Sequence, residues 1–147
     1  MKKVITFIIL ATTCITAVAQ NTKQWRFSVY NESSNTKVSI FETLDGHFYI
    51  ETVLVETNES FAPICIGKTS EEMRSLLETT KYFLEHPELE YVLIKIGDDY
   101  LKLFREINIL DEKQDTVIYP FITDGTESYS EIPIQLITEV LQMFSLK

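Results

Sequence analysis

The signals along this chain predict an α+β fold: a mostly antiparallel sheet with two helices packed on one face, in the order strands–helix–strands–helix. Three observations carry that reading. Segments of alternating apolar and polar side chains follow one another with only short turns between them, as antiparallel neighbours do. Two longer stretches, one central and one C-terminal, place their apolar residues at helical spacing instead. The alternating β-α series of a doubly wound nucleotide-binding fold is absent.

Trp25, Phe27 and Val29 alternate with Arg26, Ser28 and Tyr30, the two-residue period of a half-buried strand. The polar run Asn31 to Asn35 turns the chain, and a second strand spans Val38 to Leu44. Asp45-Gly46 is a hairpin signal because both residues tolerate positive φ. A third strand follows from His47 to Glu56, rich in aromatic and β-branched residues. Thr57 to Ser60 turns again, and Phe61 to Ile66 is a short fourth strand whose Pro63 suits an edge.

The central helix is predicted from Ser70 to Glu85. Thr69 and Glu72 form a capping box, each side chain serving a free backbone donor. Met73, Leu76, Leu77, Thr80, Phe83 and Leu84 fall on one face, and His86-Pro87 ends the helix because a residue before proline avoids helical geometry. Leu89 to Ile96 then reads as a strand and Gly97-Asp98-Asp99 as a turn. Residues Tyr100 to Ile109 fit two patterns. Leu101, Leu103, Ile107 and Ile109 share strand parity, while Tyr100, Leu103, Phe104 and Ile107 make a helical stripe with Asp98 as cap. The strand is preferred because it completes a hairpin with the strand before it. Asp111 to Asp115 is a charged loop, Thr116 to Thr123 a strand and Asp124-Gly125 a turn. A second helix is expected from Ser130 to Phe144, with Pro133 in its first turn and Leu136, Ile137, Val140, Leu141 and Phe144 on its apolar face.

Upstream of the first strand, Lys2 and Lys3 precede an apolar stretch from Val4, and Ala17-Val18-Ala19 puts small residues where a signal peptidase reads. We therefore expect residues 1–19 to be a cleavable signal peptide and residues 20–147 a single small α+β domain, exported to the periplasm or secreted. The short, lysine-led signal has a bacterial look. A membrane anchor is disfavoured, since the stretch is shorter than the roughly 20 apolar residues a span needs and is diluted by Thr6, Thr12, Thr13 and Thr16. A lipoprotein acylated on Cys14 ranks between the two, because Thr13 is bulkier than the residue such a site takes.

The whole chain has 13 basic and 22 acidic residues; without Lys2 and Lys3 the balance is 11 against 22, a net charge of -11. The acidic balance argues against nucleic acid and disfavours an anionic membrane surface, because phosphate contacts need clustered Lys and Arg, and the basic residues here are scattered. A basic partner would be attracted, although the simpler effect of the charge is solubility. Cys14 departs with the signal, so Cys65 has no partner for an internal disulfide.

Candidate chemistry is sparse. Cys65 lies between Ile64 and Ile66, where a small thiol ordinarily fills space and burial opposes the thiolate. His47 and His86 sit at unrelated places, and no His-x-x-x-His or Cys-x-x-Cys spacing exists for zinc. Asp98-Asp99 and the loop Asp111-Glu112-Lys113-Gln114-Asp115 lack the alternating acids of a calcium loop. The sequons Asn31-Glu32-Ser33 and Asn58-Glu59-Ser60 are expected to stay unmodified in a bacterial setting, and Asp115-Thr116-Val117 resembles the acceptor pattern of bacterial periplasmic O-glycosylation over only three residues. No catalytic, cofactor-binding or metal residues are assigned.

Two functions follow as expectations. The first is a non-catalytic, exported acidic domain that binds a protein or envelope component. The second is a small exported hydrolase using paired carboxylates or the Cys65 thiol. A deep pocket gathering His47, His86, Cys65 or paired acids favours the hydrolase; a flat apolar patch or an open sheet edge favours binding. Self-association is a third reading.

Overall fold

The computed structural model describes residues 25–32, 34–107, 114–121 and 130–145. The first 24 residues, with the expected signal peptide and Cys14, lie outside these, as do Asp111 to Lys113 and the Asp124-Gly125 turn. No described helix is long and apolar enough to cross a membrane.

The fold is α+β in the order strands–helix–strands–helix. Strands β1 (Trp25–Asn31), β2 (Thr36–Glu42), β3 (Phe48–Leu54) and β4 (Ile64–Gly67) precede helix α1 (Ser70–Glu85). Strands β5 (Tyr91–Ile96), β6 (Asp99–Ile107), β7 (Gln114–Phe121) and β8 (Ser130–Glu131) precede helix α2 (Ile134–Ser145). Every pairing is antiparallel, but the strands form two separate four-stranded meanders, β1-β2-β3-β4 and β5-β6-β7-β8. The ambiguous segment from Tyr100 is a strand, as hairpin geometry favoured. Gly97, at φ 61°, takes the first central position of a two-residue turn between Ile96 and Asp99.

Both sheets turn one face inward onto a single core. Val38, Ile40 and Ile50 from the first meander, Leu101 and Leu103 from the second, and Leu76, Leu77, Leu136 and Ile137 from the helices belong to one buried cluster. Helix α1 has the predicted limits because its signals are local. Glu72 N–H donates to Thr69 Oγ1 at 3.1 Å, while the Glu72 carboxylate accepts from Lys68 N–H at 2.9 Å, one residue earlier than an ideal capping box. The helix can start this close to β4 because residue 67 is glycine. A Cβ there would lie 2.5 Å from Met73 N and 2.9 Å from Thr69 O, both backbone atoms.

The start of α2 corrects the predicted helix from Ser130. Residues 130–131 are β8, and the helix begins at Ile134. Pro133 therefore stands just before the helix, its carbonyl accepting from Ile137 N–H at 3.3 Å. Ile132, as the residue before a proline, is disfavoured in helical geometry, and long-range partners hold the two residues ahead of it. Ser130 Oγ pairs with Thr52 Oγ1 at 2.6 Å, and Glu131 Oε2 accepts from Asn31 Nδ2 (3.0 Å), Ser34 Oγ (2.8 Å) and Thr36 Oγ1 (3.1 Å). The second meander is thereby tied to the β1–β2 turn.

Candidate binding face

Antiparallel register sorts the side chains of the second meander. Val92, Ile94, Leu101 and Leu103 point to the core, so their neighbours Tyr91, Leu93, Lys95, Tyr100, Lys102 and Phe104 point outward. Tyr91, Leu93 and Tyr100 are 51%, 52% and 45% exposed. With Lys102 they line an open groove of about 350 Å³. The Lys102 ammonium lies 4.7 Å from the Tyr91 ring centroid and 6.0 Å from that of Phe104, within cation–π range of both. Next to them β7 aligns Val117, Tyr119 and Phe121 with Phe104, Lys102 and Tyr100.

This sheet is tied from behind to the end of helix α1. Arg105 projects to the inner side, stacks its guanidinium 3.9 Å from the Phe83 ring centroid and donates to the carbonyls of Phe83, His86 (3.3 Å) and Leu89 (2.6 Å). Helix α1 has no basic residue in its last turn, so Arg105 supplies the positive charge that its carbonyl end favours.

The expected candidates lie elsewhere and apart. Cys65 pairs by register with Tyr49 on the outward side of β4, opposite in parity to the buried Ile64 and Ile66. It is half-buried, so its side is less fully covered than its neighbours'. Burial pushes its thiol above the ordinary value, against a smaller lowering by a backbone hydrogen bond at Gly67. Tyr49 beside it is raised for the same reason. His47 lies at the β2–β3 hairpin, its Nδ1 3.4 Å from Asp45 Oδ2. The Asp45 carboxyl is lowered first by the Thr43 hydroxyl, with His47 a smaller contributor. His86, at the end of α1, stacks on Tyr82 at 3.7 Å and hydrogen-bonds the Tyr82 carbonyl through Nδ1 at 2.7 Å. Among the described residues, no three His, Cys, Asp or Glu side chains gather as a metal site.

Asp98 falls in the β5–β6 turn and Asp99 opens β6. Asn58 is exposed at φ 58°, whereas Asn31 is held by Glu131. Thr116 of the Asp115-Thr116-Val117 motif lies within β7, in register with Arg105. A second concavity, about 340 Å³, brings Glu42, Glu71 and Arg74 together beside Phe48 and Phe144 at the start of α1. Neither histidine nor Cys65 is among its lining residues.

No protein-family model matches this chain, and no curated protein matches it in sequence.

Proposed function

We propose that the chain is an exported, non-catalytic binding domain that docks a protein or envelope component on the outward face of β5 and β6. The supporting observation is that face: two tyrosines and a leucine, each about half exposed, side by side on a sheet whose other side is core. Large contiguous apolar side chains on a protein surface are costly unless something covers them, and tyrosine is the residue interfaces favour. The export part of the proposal rests on the Ala17-Val18-Ala19 cleavage pattern.

Two measurements test it. Intact mass of the exported product should begin at Gln20; retention of Met1, or a lipidated Cys14 at the terminus, defeats the export claim. The tagged exported product should be cross-linked in an envelope extract beside a Leu93→Arg variant. Capture by the wild type that the variant loses, and that a control substitution at the distant, exposed Tyr30 keeps, is the expected result. Equal capture by all three proteins would remove this face from the function.

A further inference from the structure

We infer that the concavity at the start of α1, separate from the β5–β6 face and independent of it, binds a small zwitterion with an apolar body. An apolar amino acid is the simplest such ligand. Glu42 and Phe48 from the first meander, Ser70, Glu71 and Arg74 from α1, and Phe144 from α2 line it. Its volume, about 340 Å³, lies near the lower end of the roughly 300–1,000 Å³ of ligand pockets, which suits one amino acid better than a longer peptide. Register gives Glu42 a place that a carboxylate ordinarily avoids. In β2 it carries the inward parity of Val38 and Ile40, and its cross-strand neighbours are Trp25 and Phe48. The carboxylate thus stands at the rim of the core side of the sheet, beside aromatic rings. Phe144 meets Trp25 and Phe48 edge-on at 5.4 and 5.7 Å, so the floor of the concavity is a packed aromatic cluster.

Helix α1 supplies the opposite charge. Glu71, Arg74 and Glu78 follow at helical spacing along one stripe. Among the described residues Arg74 makes one ion pair, with Glu78 at 3.9 Å, and its Nε is buried without an acceptor. Neither acid that shares the concavity with Arg74 is ion-paired to it. Charges of both signs therefore line one small space, above an aromatic floor, without neutralising each other. Each simpler ligand leaves part of this unmet. An anion would face Glu42 and Glu71, and a cation would face Arg74. An uncharged apolar molecule would take water from all three and return no hydrogen bond. The carboxylate of a zwitterion accepts from the Arg74 guanidinium, where charge-assisted contacts are strongest, and its ammonium donates to Glu42. The Ser70 hydroxyl is a further donor at the same helix end. The apolar body then lies against Phe48 and Phe144.

The test titrates the exported product, followed by its amide resonances, with four probes at millimolar concentration. These are phenylalanine, phenethylamine without the carboxylate, hydrocinnamate without the ammonium, and glycine without the ring. Phenylalanine should shift residues 42–48 and 70–74 and bind about tenfold more tightly than each of the others, as the loss of one charge-assisted contact or of the ring burial implies. Arg74→Gln should bring phenylalanine to the affinity of phenethylamine, and Glu42→Gln to that of hydrocinnamate. Both side chains are partly exposed, so the fold should persist in thermal melts, and the wild-type series decides alone if a variant unfolds. Leu93→Arg, aimed at the docking face, should leave every titration unchanged. Phenethylamine binding as tightly as phenylalanine would overturn the inference in favour of a plain cation site. So would shifts confined to residues 91–104, no saturable shift with any probe, or affinities that folded Arg74→Gln and Glu42→Gln variants leave unaltered.

Discussion

The outward faces of the two meanders solve one problem in opposite ways. Each sheet has a side turned away from the shared core. On the first, the central side chains cover one another, and only Tyr30 among its described outward aromatics stays about half exposed. Arg26 pairs with Glu51 at 3.3 Å, reaches Ser39 Oγ at 3.4 Å and lies 5.0 Å over the Phe41 ring, which stacks on Tyr49 at 5.6 Å. Ser28 and Ser39 close the arrangement at 2.7 Å, and Phe41 is left 4% exposed. On the second, comparable aromatic residues stay about half in water. The difference lies in the cross-strand partners. An arginine with a carboxylate two strands away folds flat over its sheet, whereas on the second meander Tyr91, Leu93 and Tyr100 remain about half exposed. A self-satisfied face has little to offer a partner; an open one has.

That contrast can be broken at several points, taken from the largest effect on stability to the smallest. Leu77→Ala should cost about 2–5 kcal/mol, because the residue is fully buried in the core that both sheets use. Thermal melts should show one cooperative transition shifted down. Loss of only one sheet's signal would mean that the cores are separable. Glu51→Ala should cost about 1–2 kcal/mol, since it strips a nearly buried carboxylate from a half-buried arginine. A neutral result would mean that the first face gains its cover from packing alone.

Cys65→Ala should cost about 1 kcal/mol or less, as befits a half-buried side chain of small volume. Because burial raises its thiol, the folded state holds the proton that the unfolded chain releases, so this contribution is present below the thiol's ordinary value and lost as pH rises past it. Alkaline stability curves of wild type and Cys65→Ala should therefore converge. Labelling with a thiol reagent should be slow in the folded protein and fast in denaturant; fast native labelling would revive a thiol-based hydrolase. Tyr91→Ser and Leu93→Arg should change stability by no more than about 0.5 kcal/mol, because these side chains already face water. A large destabilisation would show that the second face is as structural as the first.

Much of this architecture was legible in the residues. Helix α1 could be delimited because Thr69, Glu72 and His86-Pro87 act within one turn of where they stand. The start of α2 was missed even though Ile132-Pro133 carries the same pre-proline signal; the apolar spacing ran past it, and the partners of Ser130 and Glu131 lie 78 and up to 100 residues away. The division into two meanders was hidden as well. Alternation tells which side of a strand a residue takes, but not which strand lies beside it. The binding face was half visible. Tyr91-Val92-Leu93-Ile94 is apolar at both parities, so one of its sides had to lie away from the core, yet only the register with β6 shows which.

The last elements of the chain finish what the first begin. Helix α2 packs against β1, where Phe144 meets Trp25 edge-on at 5.4 Å, and Glu131 holds the turn after β1. The native structure therefore closes through contacts of very long sequence separation, which form only when nearly the whole polypeptide is present. For a protein exported as proposed, Trp25 and the β1–β2 turn gain these contacts only after β8 and α2 have followed them across the membrane.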